Sequence, residues 1–583
     1  MKRSRCSALL FLALAAIPVF AQPATDQRAL FIERVDINVI NVEAFVTDAD
    51  GQAVSDLGEA DFELFEDGQP VEISNFYQTQ KNTTQDEQFA RDRQLVAAGR
   101  KAREAAAAPA PAPREVPEDQ RLNLVVYVDL YHLRPANRTR VLKELGLFLE
   151  DRVYQGDRVL MVAHQRNLQL IHPFTQDLHR IIKGIEQVAG MTTNGQIADA
   201  ERKRVIWTLK NPDAEARDAL DTIRLFVQQQ RLETENSMRS LETLLRSLGG
   251  LPGRRALLYV SDGLEKQPGL DLYQLYDERY GLGRERSGLE VMRNDLSDLF
   301  DRITRVANTY QTTLYTLQAR GSAGTNRGSA ENGDLATGIA GTLQASNLRD
   351  FAEQEPLIDL AQETGGSSIL NTTNFGGALQ NLSRDFGNLY SLGYRSKNGG
   401  DGKYHRIEVK VKRPGLKVRH RSGYVDKPQD QRVADRAYSS LILGLEANPM
   451  GAVVDFAEAK QEGPGKYHLP LMVRIPLRQL TLLPDGDQLK GKLRFYLAVQ
   501  DPDGAISDVR EVPYPIAIAA AGADQLQEKE IGYAVKLAVR EGRPTIAIGI
   551  WDELAGTETY LLRTLDIGSN AKKPAATTKK PGS

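Results

Sequence analysis

Apolar and polar positions alternate with period two over residues 35–76. Val35, Ile37 and Val39 are spaced by polar residues, and Val42, Ala44 and Val46 repeat the pattern. The phase slips between Val39 and Val42, which predicts a β-bulge. Phe62-Glu63-Leu64-Phe65, the turn pair Asp67-Gly68 and Val71-Glu72-Ile73 then read as a hairpin. Residues 30–80 thus form a small antiparallel β unit, too small to cover its own faces. Residues 81–120 turn charged, then alanine-rich, and close on Pro109-Ala110-Pro111-Ala112-Pro113, the composition of an extended linker.

From 121 to 387 the pattern changes to short apolar runs separated by helical periodicity. Strands are predicted at 122–128, 158–163, 168–171, 256–260, 313–317 and 367–370, and helices at 141–151, 178–188, 214–248, 289–310, 357–364 and 379–386. This alternation predicts a doubly wound, mostly parallel α/β sheet. Two runs stand out: Leu124-Val125-Val126-Tyr127-Val128 leads into Asp129, and Ala256-Leu257-Leu258-Tyr259-Val260 leads into Ser261-Asp262-Gly263. Ligands of such sheets sit at the carboxyl ends of the strands, so Asp129 and Asp262 mark a candidate site. Residues 321–347, rich in Gly, Ser, Ala and Thr, read as a surface excursion.

Period two returns at 388–425 in three strand patterns, which need an edge partner and are expected to pair with the N-terminal β unit. After a short helix-like patch, Leu469/Leu471/Val473/Ile475, Leu493/Phe495/Leu497/Val499, Tyr533/Val535/Leu537/Val539 and Ile546/Ile548/Ile550 predict a C-terminal β-sandwich over 430–568. Residues 569–583, basic among Ala, Thr and Pro, are expected to be disordered. The fold class is multidomain α/β plus β: the doubly wound sheet, a small flanking β domain and a C-terminal sandwich.

Composition narrows the compartment. Lys2, Arg3 and Arg5 precede an apolar stretch over 8–20 that ends at Ala21, the pattern of a secretory signal peptide over 1–21. The stretch is too short to span a membrane, and no later one is longer, so the mature chain is expected to be exported, periplasmic or extracellular, with no transmembrane segment. The single cysteine, Cys6, lies within the signal, which removes thiol chemistry and disulfides. A formal charge of -3 gives no drive toward nucleic acid.

The strand order, the Ser261-Asp262-Gly263 ending, and further pieces upstream and downstream carry a resemblance. They are Val46-Thr47-Asp48, Asp61-Phe62-Glu63-Leu64-Phe65-Glu66-Asp67-Gly68, Gly156-Asp157-Arg158-Val159, Leu360-Ala361-Gln362-Glu363-Thr364-Gly365-Gly366, Tyr390-Ser391-Leu392-Gly393-Tyr394 and Val409-Lys410-Val411-Lys412-Arg413-Pro414-Gly415. Over about residues 35–424 the chain resembles the family of von Willebrand factor type A (VWFA)-related proteins common in acidobacterial genomes. The resemblance implies a metal-ion-dependent adhesion site, in which Asp-x-Ser-x-Ser, a later Thr and a last Asp give a divalent cation its oxygen shell. Here Asp129-Leu130-Tyr131-His132-Leu133 lacks both serines, the Thr falls at Thr192 or Thr193, and the last Asp is Asp262. The site is degenerate: the remaining oxygens suit at most weak Mg²⁺, with His132 and Ser261 as accessory groups. The competing reading of Asp129 and Asp262 is as caps of the turns that follow their strands.

No Gly-x-Ser-x-Gly elbow, phosphate loop or zinc spacing is present, and His164, His172 and His179 match no ligand pattern. The expected function is a non-enzymatic protein-binding or adhesion module, its partner a protein of the cell envelope or beyond. The alternatives are a metal-assisted hydrolase, for which His132 is the base available, and a scaffold that binds nothing.

Overall fold

A computed structural model of the chain describes residues 39–78, 121–281, 284–321, 341–519 and 529–568. The expected signal peptide, linker, C-terminal tail and most of the 321–347 excursion lie outside the described residues. In chain order the first strands are β1 (Val39–Thr47), β2 (Phe62–Glu66), β3 (Gln69–Val71) and β4 (Ile73–Gln78). An α/β region follows, with β5 (Leu122–Asp129), α1 (Pro135–Tyr154), β6 (Arg158–His164), β7 (Leu168–Thr175), α2 (Leu178–Gly190), α3 (Gly195–Lys210), α4 (Ala216–Ser247), β8 (Arg254–Ser261) and α5 (Leu270–Tyr280). It continues through α6 (Arg284–Arg293), α7 (Ser297–Thr309), β9 (Thr312–Gln318), α8 (Gly341–Gln362), β10 (Ser368–Ile369) and α9 (Phe375–Gly387).

The sheet of this region has the order β10-β9-β8-β5-β6-β7, parallel throughout except for the edge strand β7. Every residue of β5 is buried, which explains its unbroken apolar run. Alternate side chains serve opposite cores. Leu124, Val126 and Val128 pack with Val141, Leu145 and Leu379 of α1 and α9, whereas Val125 and Tyr127 pack with Met238, Leu241 and Ile303 of α4 and α7.

The remaining elements are β11 (Tyr390–Arg395), β12 (Tyr404–Val411), β13 (Lys417–Arg419), β14 (Gly423–Val425), α10 (Gln429–Leu443) and nine strands from β15 (Val453–Phe456) to β23 (Glu558–Thr564). The two β flanks close on each other. Sheets β13-β1-β11-β4 and β14-β12-β2-β3 pair residues over 300 positions apart, with Val42 opposite Leu392 and Leu64 opposite Val409. Ile40, Val42, Leu64, Leu392 and Ile407 share one core between them. The hairpin turn takes positive φ at Asp67 (49°) and Gly68 (78°), the two-residue turn that this pair favours.

β1 corrects the expected bulge. Its register with β11 runs without a break from Val39 to Ala44, because the inward row starts at Ile40 while Val39 faces solvent. The irregularity lies instead between β11 and β4, at Gly393/Tyr394.

Helix boundaries moved where capping outweighed periodicity. The expected 289–310 helix breaks in two, and Asp295 Oδ1 accepts from Ser297 N at 2.7 Å across the break. α8 begins at Gly341, inside the expected excursion. The 214–248 helix has two partners: Met238, Leu241 and Leu245 cover the sheet, while Leu220, Ile223 and Val227 pack on α3 and α5, which the periodicity missed. In the C-terminal region two antiparallel sheets enclose Leu471, Val473, Phe495, Leu497 and Ile548. α10 bridges, burying Val433 and Ala437 on Tyr496 and Trp551, and Leu443 in the α/β core.

Candidate functional site: the carboxyl ends of the parallel strands

β5 and β8 are neighbours in parallel register, Val128 opposite Val260, so the chain delivers Asp129 and Ser261-Asp262 to one rim of the sheet. The loop after β5 folds back over this rim. Leu130 and Leu133 are fully buried, and the 191–195 loop docks onto them: Asn194 N donates to the Leu130 carbonyl and Gly195 N to the Leu133 carbonyl, each at 3.1 Å. Only glycine fits there, since a Cβ on Gly195 would lie 2.7 Å from the Leu133 oxygen.

Asp129 is completely buried, with the His132 ring Nδ1 at 2.7 Å, the Ser237 hydroxyl at 3.4 Å and the Tyr259 hydroxyl also donating to it. Burial alone would raise its pKa, but the charge and hydrogen bond of His132, with help from His164 and Tyr259, hold it down at about 2. His132 moves the opposite way: burial works against its protonation, and Asp129 overrides it, raising its pKa.

Asp262 is held from the start of α1. Asn137 Nδ2 lies 2.9 Å from both of its oxygens, the Arg134 backbone N is at 3.0 Å and Arg134 Nη1 at 3.2 Å. The same guanidinium donates through Nη2 to Asp199 at 2.9 Å. Arg349 extends the network, with Nη2 at 3.4 Å from Asp199 and Nε at 2.7 Å from Glu353. Burial pushes Asp262 up to about 6 against the pull of Arg134, and pushes Glu265, beside Asp271, up to about 7. Asp199 is drawn down to about 2, the Arg134 hydrogen bond and the Arg349 charge outweighing burial.

Of the other expected site residues, Thr192 bonds Gln165 and Ser261 Oγ bonds within its own turn, 3.1 Å from the Gly263 carbonyl, whereas the Thr193 hydroxyl is buried without a partner. For Asp129, Thr192, Thr193 and Asp262 to give Mg²⁺ an oxygen shell, the donors that now engage the two carboxylates would have to leave. Both carboxylates are already occupied by donors of the chain, and Arg134 sets a fixed positive charge against Asp262. Among the described residues no group of three or more His, Cys, Asp or Glu side chains is arranged to hold a metal. His132 and Asp262 instead line a small cavity of about 70 Å³ with Tyr131, Gln230, Glu265 and Arg349.

Sequence reading missed Arg134, Asn137, Asp199 and Arg349. Pro135 was the available signal: proline favours the first position of a helix, so α1 starts there, six residues before the apolar periodicity. That start places Arg134 and Asn137 one turn apart beside the rim.

No protein-family profile and no curated protein matches the chain. Solved structures similar to it include an aerotolerance-related membrane protein from Bacteroides fragilis, at 11% identity and a TM-score of 0.21, covering 46% of this chain and 98% of that one. BatB from Bacteroides thetaiotaomicron is similar at 11% identity and 0.20, covering 45% and 98%. The pilus adhesin SpaC from Lactobacillus rhamnosus GG, in its open conformation, is similar at 7% identity and 0.21, covering 78% and 53%. The fold itself is a mixed α/β sheet flanked by antiparallel β sheets, and no described helix is long and apolar enough to cross a membrane.

Proposed function

We propose that the chain is an exported, non-enzymatic protein-binding module, in which a domain of the type A kind presents its crest without a metal ion. The observation that carries this reading is Arg134, whose guanidinium bridges Asp262 and Asp199 and supplies from within the positive charge that a cation brings to an adhesion site. A crest organised this way needs no ion before it meets a partner. α3, which starts at the crest, exposes Ile197 (58%) and Trp207 (69%), and large exposed apolar side chains of this sort anchor protein contacts.

Site-specific photo-crosslinking tests the proposal. A benzophenone side chain at position 197 is expected to capture a protein from envelope extract equally well with and without EDTA, and the same group at Met472 of the C-terminal sandwich is expected to capture nothing. Capture that vanishes in EDTA, or that is equal at both positions, overturns it.

One observation favours a hydrolase as a second reading. A buried carboxylate fixing a histidine through Nδ1, as Asp129 fixes His132, is half of a general-base arrangement. Among the described residues no hydroxyl is hydrogen-bonded to that ring. Ester or peptide hydrolysis by the purified chain, lost in His132→Gln, would favour this reading over the first.

A further inference from the structure

Opposite the crest, at the amino end of β8, the α/β region meets the flank sandwich, the two sheets formed by the β flanks, and a cavity of about 330 Å³ lies in the seam. Arg254, Arg255 and Asn308 reach it from one side, Glu43 and Arg421 from the other. Three arginines face one glutamate, and that glutamate is engaged, its Oε1 2.9 Å from Arg254 Nε. Arg255 and Arg421 have no carboxylate within ion-pair distance among the described residues.

Both are held in place through other atoms. Arg255 Nη1 donates to the Leu251 carbonyl at 2.8 Å, and Arg421 Nη2 donates to the Asn41 carbonyl. Their Nε–H donors are buried without a partner. Arg421 is 8% exposed, so this is a true interior donor. Burial lowers the pKa of Arg255 to about 10, with the neighbouring charge of Arg421 adding to the effect and that of Glu43 opposing it. Among the described residues Glu43 is the one carboxylate of the cavity lining and is shared among three guanidinium groups, so positive charge is in excess there; natural interiors rarely leave buried charged donors empty.

We propose that this seam binds a small oxyanion, the phosphate or carboxylate group of a small molecule, between Arg255 and Arg421. Guanidinium groups match the geometry of both anions through paired N–H donors. Because the two arginines belong to different layers, the anion joins the α/β region to the flank sandwich.

The test uses the chain from residue 22 onward, titrated with inorganic phosphate and, separately, with acetate, each at an ionic strength matched with chloride. One or both are expected to raise the unfolding midpoint saturably, and the stronger arm identifies the anion class. Arg421→Gln is expected to weaken that response at least about ten-fold, as loss of a charge-assisted contact does, while Arg543→Gln on the exposed C-terminal surface leaves it unchanged. Phenylglyoxal labelling of the unaltered chain gives an independent reading: the anion is expected to slow modification of half-buried Arg255 and not of Arg543. Chloride giving the same shift, a response that survives in Arg421→Gln, or no protection of Arg255 overturns the proposal. If Arg421→Gln does not fold, the labelling result decides.

Discussion

At the carboxyl ends of β5 and β8, Asp129 and Asp262 are each engaged by a side chain of the loop that follows β5, the His132 ring in one case and the Arg134 guanidinium in the other. At the amino end of β8 the signs are reversed: Arg255 and Arg421 face a cavity of about 330 Å³ with buried donors that nothing accepts. The crest holds the smaller cavity, about 70 Å³, and its two acids are engaged by neighbouring side chains. Position in the fold nominates the crest as the ligand end of the sheet; buried polar atoms without a partner occur at both ends, Thr193 and Gln230 at the crest and Arg255 and Arg421 at the seam, and those of the seam belong to charged groups. A rim full of charge that is internally matched is structure, or a rigid surface for a partner; unmatched charge beside open volume is where a small ligand gains most.

The largest expected effect is at the crest. Arg134→Met leaves buried Asp262 without its guanidinium and half-buried Asp199 with Arg349 alone; breaking a fully buried pair from one side costs about 3–5 kcal/mol, and the partial exposure of Arg134 and Asp199 places the expected loss toward the low end, about 3 kcal/mol. Urea unfolding is expected to show that loss, and Asp262→Asn added to Arg134→Met is expected to return part of it. A loss below about 1 kcal/mol would show that the crest is solvated and not internally matched.

The pH dependence of stability separates the two crest acids. Asp262 is lifted from 3.8 to about 6, so between those values the folded chain keeps a proton that the unfolded chain has released. Stability therefore falls as pH rises through that window, by up to about 1.4 kcal/mol per unit. Asp129 has the opposite sign: depressed to about 2, it contributes fully above 3.8 and loses its contribution as pH falls toward 2. Asp262→Asn is expected to reduce the slope between pH 4 and 6, leaving the part that Glu265, lifted from 4.5 to about 7, adds with the same sign, and to leave the acid limb intact. An unchanged slope in that variant would assign the proton to another group.

Much of this architecture was legible because it follows from period and burial. The unbroken run before Asp129 marks a central parallel strand, and the orphan strands of the two flanks each lacked a face that the other supplies. The rest was illegible for identifiable reasons. Val39 and Ile40 are both apolar, and only the partner strand decides which of them points inward. α3 and α5 pack on α4 and not on the sheet, so their apolar faces are narrow. At the site, pattern located the acids but not their counter-charges: Arg134 serves residues 65 and 128 positions away, and no spacing rule connects such groups.

The seam is expected to respond more weakly to the loss of an arginine. In phosphate-free buffer Arg421→Gln gives up its bond to the Asn41 carbonyl but relieves its repulsion with Arg255, two opposing terms of about 1 kcal/mol each. A net change within about 1 kcal/mol in urea unfolding is the expected outcome, against the several of Arg134→Met. A loss as large as that at the crest would mean that Arg421 is matched by the chain itself, and the contrast between the two ends would fail.

The smallest effect sharpens the comparison further. Mg²⁺ at ten times its dissociation constant would stabilise the chain by about 1.4 kcal/mol through mass action. With Arg134 in place, 10 mM Mg²⁺ is expected to change stability by less than about 0.3 kcal/mol, the value for a dissociation constant of about 15 mM. In Arg134→Met the fixed charge is gone while Asp262 and Asp199 remain, so a small positive response to Mg²⁺, absent in Arg134→Met/Asp262→Asn, is the expected result. That pattern would identify the guanidinium as the stand-in for a cation. Stabilisation of the unaltered chain by 1 kcal/mol or more would instead mean that the ion and Arg134 occupy the crest together.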